Sequence, residues 1–376
     1  TPKLPDTVVP KVLPRGQVKL DQHFPSWTVD APLFSTQLLA PGARIHSVSL
    51  KKYRREVNPD SPPMQIVTTQ PTGYLPMAVD LMNHSDWSLA TRPFSSPAPE
   101  QIRLTPENPS QVLALQTEIP GEVRVTKSYT FSADAYFVDV EIQLENLSEK
   151  TLSDQMGISF YFQPYSPLAS ESSYNPSQLS SHEKGKIANH SLSDLEKKEL
   201  VLKGPIDWVG YENNYFIQAV LPVEKQGYQV VARVLDPKEG LLQLVYLTEP
   251  FQIEGGQARK IPLRIYLGPK ELTQLGKAEH QLSASVDYGW FTFLAKPLLL
   301  GMNWVFQYTH NYGIAIILLT IVIKVIFWPL TQKSFESMQT MKKIQPKITQ
   351  IREKYKNDKE KLNQELMAVY RTYKVN

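Results

Sequence analysis

Cysteine is absent from all 376 residues, so no disulfide framework braces this chain, and its redox compartment stays open. Motifs of covalent chemistry are missing too: there is no GxSxG elbow, Walker loop or zincin helix, and no residue reads as catalytic. The seven histidines (His23, His46, His84, His182, His190, His280 and His310) lack metal-ligand spacing and read as surface residues, so neither a metal nor a cofactor is implied. Gly255-Gly256 is a hairpin turn signal and not a phosphate loop. Charge is nearly missing from one long stretch, residues 313–330, GIAIILLTIVIKVIFWPL, where Lys324 stands alone.

That run is what the sequence has in place of catalytic motifs. As a helix it is about 27 Å long, enough to cross a hydrocarbon core of about 30 Å. An ionisable group at such depth costs about 2.5–3.5 kcal/mol on insertion scales. The other polar side chains nearby share its direction. At about 100° per residue, Thr320, Lys324 and Thr331 fall near 0°, 40° and 20°, one narrow stripe on an otherwise apolar helix. A helix lining a water-filled groove gains from that alignment, whereas a lipid-facing one does not. The competing reading is that Lys324 snorkels to the headgroups, about one and a half turns away.

Orientation follows from the flanks. Residues 331–376 hold eleven Lys or Arg against five acids, a net +6; the whole chain is +3, which leaves −3 on residues 1–330. The basic tail therefore belongs in the cytoplasm and the long N-terminal part outside it. A second hydrophobic stretch, residues 288–310, is interrupted by Lys296-Pro297, Gly301 and Asn303. Its aromatics, Trp290, Phe293 and Trp304 among them, suit the interface, so it is expected as an amphipathic helix on the outer membrane face, with a short re-entrant hairpin as the alternative.

The outer part has a β pattern. From Val138, residues 136–144 alternate strictly, with Val138, Val140, Ile142 and Leu144 inward. Similar runs lie at 44–53, 122–131, 228–235, 241–248 and 257–267, and 30 prolines suit the loops between them. This spacing predicts a two-sheet antiparallel sandwich. Residues 164–195, polar and Ser-rich, are expected as a long exposed loop, and Pro-rich residues 1–17 as a linker.

Beyond the span, Met338, Met341, Ile344, Ile348, Ile351 and Tyr355 recur every three or four residues, and Pro346 should kink this helix or mark its start. Asn357-Asp358 breaks the pattern, with Asp358 a candidate N-cap, and Leu362, Leu366, Val369 and Tyr373 resume it. The result is an antiparallel helical hairpin with a basic exterior (Lys342, Lys343, Lys347, Arg352) suited to anionic headgroups or ribosomal RNA. A polar transmembrane stripe with no helix to face predicts further membrane segments downstream.

Several motifs resemble the YidC/Oxa/Alb membrane protein insertases, in their Gram-negative form. GPIDWVGYENNYFIQAVLP (204–222) and YLGPKEL (266–272) look like signatures of that family's periplasmic domain. VDYGWFTFLAKPL (286–298) is similar to its interfacial helix, and WPLTQKSFESMQTMKKIQPKITQIREKY (328–355) to its cytoplasmic coiled-coil hairpin. The resemblance implies a mainly β fold, residues 18–285 as a β-super-sandwich like that of galactose mutarotases. An interfacial amphipathic helix (286–310), one transmembrane helix (311–331) and a truncated hairpin (332–376) follow. The first and the last four membrane helices would be missing. It implies that Lys324 stands at the groove cation, often Arg in the family, with Thr320 and Thr331 beside it. Lysine keeps the charge but not the bidentate fork. Implied partners are nascent membrane proteins, the Sec translocon (SecYEG and SecDF), ribosome or signal-recognition components and the lipid bilayer of the bacterial inner membrane. A membrane-anchored carbohydrate-binding protein, or an assembly platform, is the alternative that the sandwich alone allows.

Overall fold

The computed structural model describes residues 16–373 apart from 57, 59, 166–174, 225–226, 287–290 and 357. The chain divides into two compact units, 1–286 and 287–376.

The first unit is a β-sandwich. Among the described residues its largest sheet has eight strands, in spatial order Lys186–His190, Gln178–Glu183, Trp208–Glu212, Phe216–Pro222, Ala258–Pro269, Phe137–Asn146, Val123–Ser132 and Ser110–Ile119. Two five-stranded sheets oppose it. One runs Pro63–Gln65, Arg44–Arg54, Phe34–Leu39, Ser26–Asp30 and Gln101–Arg103, the other Leu200–Lys203, Gln229–Asp236, Leu241–Leu247, Met156–Phe162 and Ala78–Leu81. Phe34 meets Phe131 with ring centroids 6.3 Å apart, and Phe162 stacks on Tyr211 at 5.4 Å, so both smaller sheets pack on the same large one. The alternation read from the sequence is the burial pattern observed: Val138, Val140, Ile142 and Leu144 are all buried. Gly255-Gly256 does form a turn, but it joins strands of different sheets and closes no hairpin.

Two expectations are corrected here. Of the supposed loop 164–195, residues 166–174 lie outside the described residues, and the rest is mostly regular. Gln178–Glu183 and Lys186–His190 form a hairpin turning on Lys184 (φ 52°) and Gly185 (φ 76°), and helix α1 (Leu192–Lys197) follows, capped by Ser191. Two serines of this hairpin are not solvated. Ser180 and Ser181 are fully buried, their hydroxyls donating to Glu212 at 2.7 Å and Glu183 at 2.9 Å. Nor does the linker reach residue 17. Gln17 donates to the Thr72 carbonyl at 2.6 Å, Val18 is buried, and the Gly16 carbonyl accepts from Arg44.

That arginine belongs to a buried ionic cluster. Arg44 and Lys127 are wholly inaccessible. Arg44 Nε and Nη2 donate to Leu75 O at 3.0 and 2.7 Å, and Nη1 to Ala90 O at 3.2 Å. Lys127 Nζ donates to Gly42 O at 2.5 Å and Met77 O at 2.7 Å, and Tyr129 Oη to Ala43 O at 2.6 Å. The cations thus bind the carbonyls of several loops. Gly42 (φ 68°) is needed there, because a Cβ would lie 2.2 Å from Ala90 O.

Asp80 is the carboxylate facing both cations, and it accepts from Ala90 N at 3.2 Å. Burial pushes its carboxyl up to about 6, against the pull of the Ala90 and Leu89 amides, Lys127 and Arg44. Unfolded, it titrates near ~3.9. Between those values the folded state keeps a proton that the unfolded state has released. Its contribution is therefore most favourable below pH 4 and is lost as pH rises through about 6. Asp80→Asn, always neutral, is expected to gain stability relative to the parent between pH 4 and 7, by up to about 3 kcal/mol. Urea unfolding of both proteins across that range checks this; a pH-independent difference would contradict it.

Candidate membrane-embedded site

The second unit is helical. Helix α3 (Thr292–Thr309) ends at His310 in the left-handed region, and Asn311 starts helix α4 (Tyr312–Lys354), its side chain accepting from Gly313 N at 2.8 Å and Ile314 N at 3.4 Å. Helix α5 (Lys359–Thr372) follows, with Asp358 as N-cap accepting from Lys361 N; the short helix α2 (Leu272–Ala278) belongs to the first unit. The sequence separates a span from a cytoplasmic helix near residue 331, but α4 is one helix of 43 residues, about 65 Å long. It runs through both Pro329 and Pro346. Each proline removes one rung of the ladder, which a helix of this length tolerates. Among the described residues α4 is the one helix long and apolar enough to cross a membrane, with mean hydropathy 2.4 in its best window. Ile316, Ile317, Ile321, Val325, Phe327 and Trp328 are all more than half exposed, a surface that suits lipid or other membrane helices.

Helix α3 turns back against α4. Phe306 stacks on Tyr312 with centroids 4.0 Å apart, and a Cβ at Gly301 would touch Leu319 Cδ1 at 3.6 Å. Thr292–Thr309 is one unbroken helix, which rules out the short re-entrant hairpin within this stretch. Trp290 lies outside the described residues; Phe293 and Trp304 are exposed, Trp304 edge-on to Tyr308 at 5.2 Å.

The far half of α4 receives α5. Ile344 and Ile348 are buried, and Lys347 Nζ lies 2.6 Å from Tyr373 Oη and 5.0 Å from its ring centre. Lys347, expected as a partner contact, therefore latches the hairpin. Lys342, Lys343 and Arg352 are exposed.

The groove residues are separated by their hydrogen bonds. Thr320 Oγ1 donates to Ile316 O at 2.7 Å and Thr331 Oγ1 to Phe327 O at 2.9 Å, so both hydroxyls are satisfied inside their own helix. The case for a wet surface rests on Lys324, which is exposed. Tyr312, Ala315 and Leu319, which face α3, and Ile344 and Ile348, which face α5, centre about 130° around α4 from the Thr320–Lys324–Thr331 stripe. Neither neighbour covers the lysine.

The β domain has its own concavity, a cleft of about 980 Å³ lined by Met64, Pro63, Tyr165, Leu192 and Pro237, with Glu239 as the one carboxylate among the described lining residues. Two His–Asp pairs that sequence reading missed, because their members are 70 and 25 residues apart, do not line it. His84 Nδ1 lies 2.6 Å from Asp154 and stacks on Trp87; His182 Nδ1 lies 2.7 Å from Asp207 and stacks on Trp208. Among the described residues, the cleft therefore lacks a paired acid and base, and no group of His, Cys, Asp and Glu could hold a metal.

Residues 26–300 match the family described as the YidC periplasmic domain, and residues 304–376 match the 60Kd inner membrane protein family. The chain belongs to the YidC family. A curated relative from Syntrophobacter fumaroxidans, named membrane protein insertase YidC, is 60% identical over 97% of this chain. One of the same name from Syntrophus aciditrophicus is 36% identical over 93%. The chain spans 66% and 63% of those YidC proteins' lengths. A galactose mutarotase-like protein from Lactobacillus casei, 9% identical, aligns with 64% of this chain and 99% of its own at a TM-score of 0.47. That likeness says nothing of chemistry.

Proposed function

We propose that this chain acts in the insertion of nascent hydrophobic segments into the bacterial inner membrane, as insertase and chaperone, alone or beside the Sec translocon (SecYEG and SecDF). The observation that carries this is the 60% identity to a membrane protein insertase along 97% of the chain, together with Lys324 as the lone cation on its apolar span. The step is physical and not covalent. A hydrophobic segment leaves water for the lipid side of α4, gaining about 25 cal/mol per Å² of apolar surface. Lys324, on the uncovered stripe, attracts acidic residues of the short flank that must cross. Thr320 and Thr331 flank it without competing, since their hydroxyls are already bonded. The β domain stands outside the cytoplasm, and Phe293 and Trp304 hold α3 at the outer interface. The α4–α5 hairpin meets ribosome, signal-recognition components or anionic headgroups through Lys343 and Arg352.

The test is replacement in living cells. The full-length protein containing this chain, expressed in bacteria depleted of their own insertase, is expected to restore growth and the insertion of single-span test substrates. Normal membrane abundance without either would overturn the proposal.

A further inference from the structure

Because α4 is continuous, side chains far apart along it keep a defined angular relation. Eighteen residues make five full turns, so Lys342 shares the direction of Lys324 and lies about 27 Å further along. Thr349 and Gln345 continue the stripe about 20° and 60° from the same line. Glu336 is the only acid between the two lysines; it lies about 120° around the helix and accepts from Gln332 at 3.5 Å. Lys342 is exposed and makes no ion pair among the described residues, and α5 packs on a different face.

We infer that Lys342 is a specificity-determining residue, a second cation on the Lys324 track that holds acidic residues of an incoming chain. The occupant is an extended, acidic flank of a nascent hydrophobic segment, chosen by charge complementarity to two unneutralised cations on one face. This rests on the proposed insertase reading. An extended chain rises about 3.3 Å per residue, so about eight residues bridge the two ammonium groups. A flank with acids at both ends of such an interval engages both lysines. A flank with its acids clustered beside the hydrophobic segment engages Lys324 alone. The track therefore selects for acid spacing as well as acid content.

The experiment uses the full-length protein in insertase-depleted cells and two substrates of equal charge, one with paired acids adjacent to the span and one with them eight residues apart. Protease accessibility of the translocated flank reads insertion. Lys342→Glu is expected to lower insertion of the spaced substrate on the order of fivefold and to spare the adjacent one. Lys333→Glu makes the same charge change about 180° away on α4 and is expected to spare both. Equal effects of the two variants, or equal loss of both substrates with Lys342→Glu, would overturn the inference. Lys324→Ala separates the failures. If it impairs insertion while Lys342→Glu does not, only the second cation is wrong; if it changes neither substrate, the groove reading falls and this one with it.

Discussion

Arg44→Ala is expected to destabilise the β domain by about 3–5 kcal/mol, a large part of the ~5–15 kcal/mol that holds a typical domain folded. The side chain is fully buried and donates to the carbonyls of Gly16, Leu75 and Ala90. Removing it strands those acceptors without water and leaves a cavity. Burial already pulls its guanidinium down to about 10, which leaves it charged at neutral pH. Lys127→Met should be milder, about 1–3 kcal/mol. It strands the Gly42 and Met77 carbonyls but removes an ammonium that burial pushes well below its ordinary range. Urea unfolding at pH 7 ranks the two. A loss below about 1 kcal/mol for Arg44→Ala would mean that the loops are held by apolar packing alone.

Lys127 also shows what was legible in the sequence. Val123, Val125, Tyr129 and Phe131 point inward, and strict alternation puts Lys127 in line with them; the buried pattern of this strand follows that phase. A lysine among inward positions was the available signal for the ionic cluster. Arg44, at the start of its strand, carried no such phase. Strands with one wet face, such as Phe137–Asn146, announced themselves by alternation. Met156–Phe162, Trp208–Glu212 and Phe216–Pro222 are buried at every position, so period two vanishes and only short apolar runs remain. The hairpin at residues 178–190 was hidden by serines, which look solvated in sequence but are bonded to Glu212 and Glu183 in the fold.

The joints of the membrane unit are hidden in the sequence for a related reason. Pro346 and the change from apolar to basic composition suggest a boundary, whereas one backbone ladder continues from Tyr312 to Lys354. Proline marks the probability of a break, and the packed turns on either side decide it. Thr320 and Thr331 share the direction of Lys324 on the helix surface, but their hydroxyls bond within the helix. Angle is readable from spacing; the partner of a hydroxyl is not.

Lys324 carries the central claim, and its substitution should have the largest effect on function. If its ammonium stands on a wet face and draws acidic flanks across, Lys324→Arg keeps the charge and should keep insertion, because point-charge attraction needs no lysine-specific geometry. Lys324→Ala removes the attraction. Lys324→Glu turns it into repulsion and should lower insertion of acidic-flank substrates by tenfold or more, about 1.4 kcal/mol or above by the usual conversion. Substrates with neutral flanks should suffer less. If the side chain only snorkels, alanine instead removes a burial cost of about 2.5–3.5 kcal/mol and leaves insertion intact or improved. The measurement is protease accessibility of paired acidic-flank and neutral-flank substrates in insertase-depleted cells carrying full-length protein with Lys, Arg, Ala or Glu at position 324, at matched abundance. The groove account predicts that acidic substrates insert in the order Lys equal to Arg, then Ala, then Glu, with a shallow order for neutral ones. Equal insertion of the acidic substrate by all four proteins would contradict it.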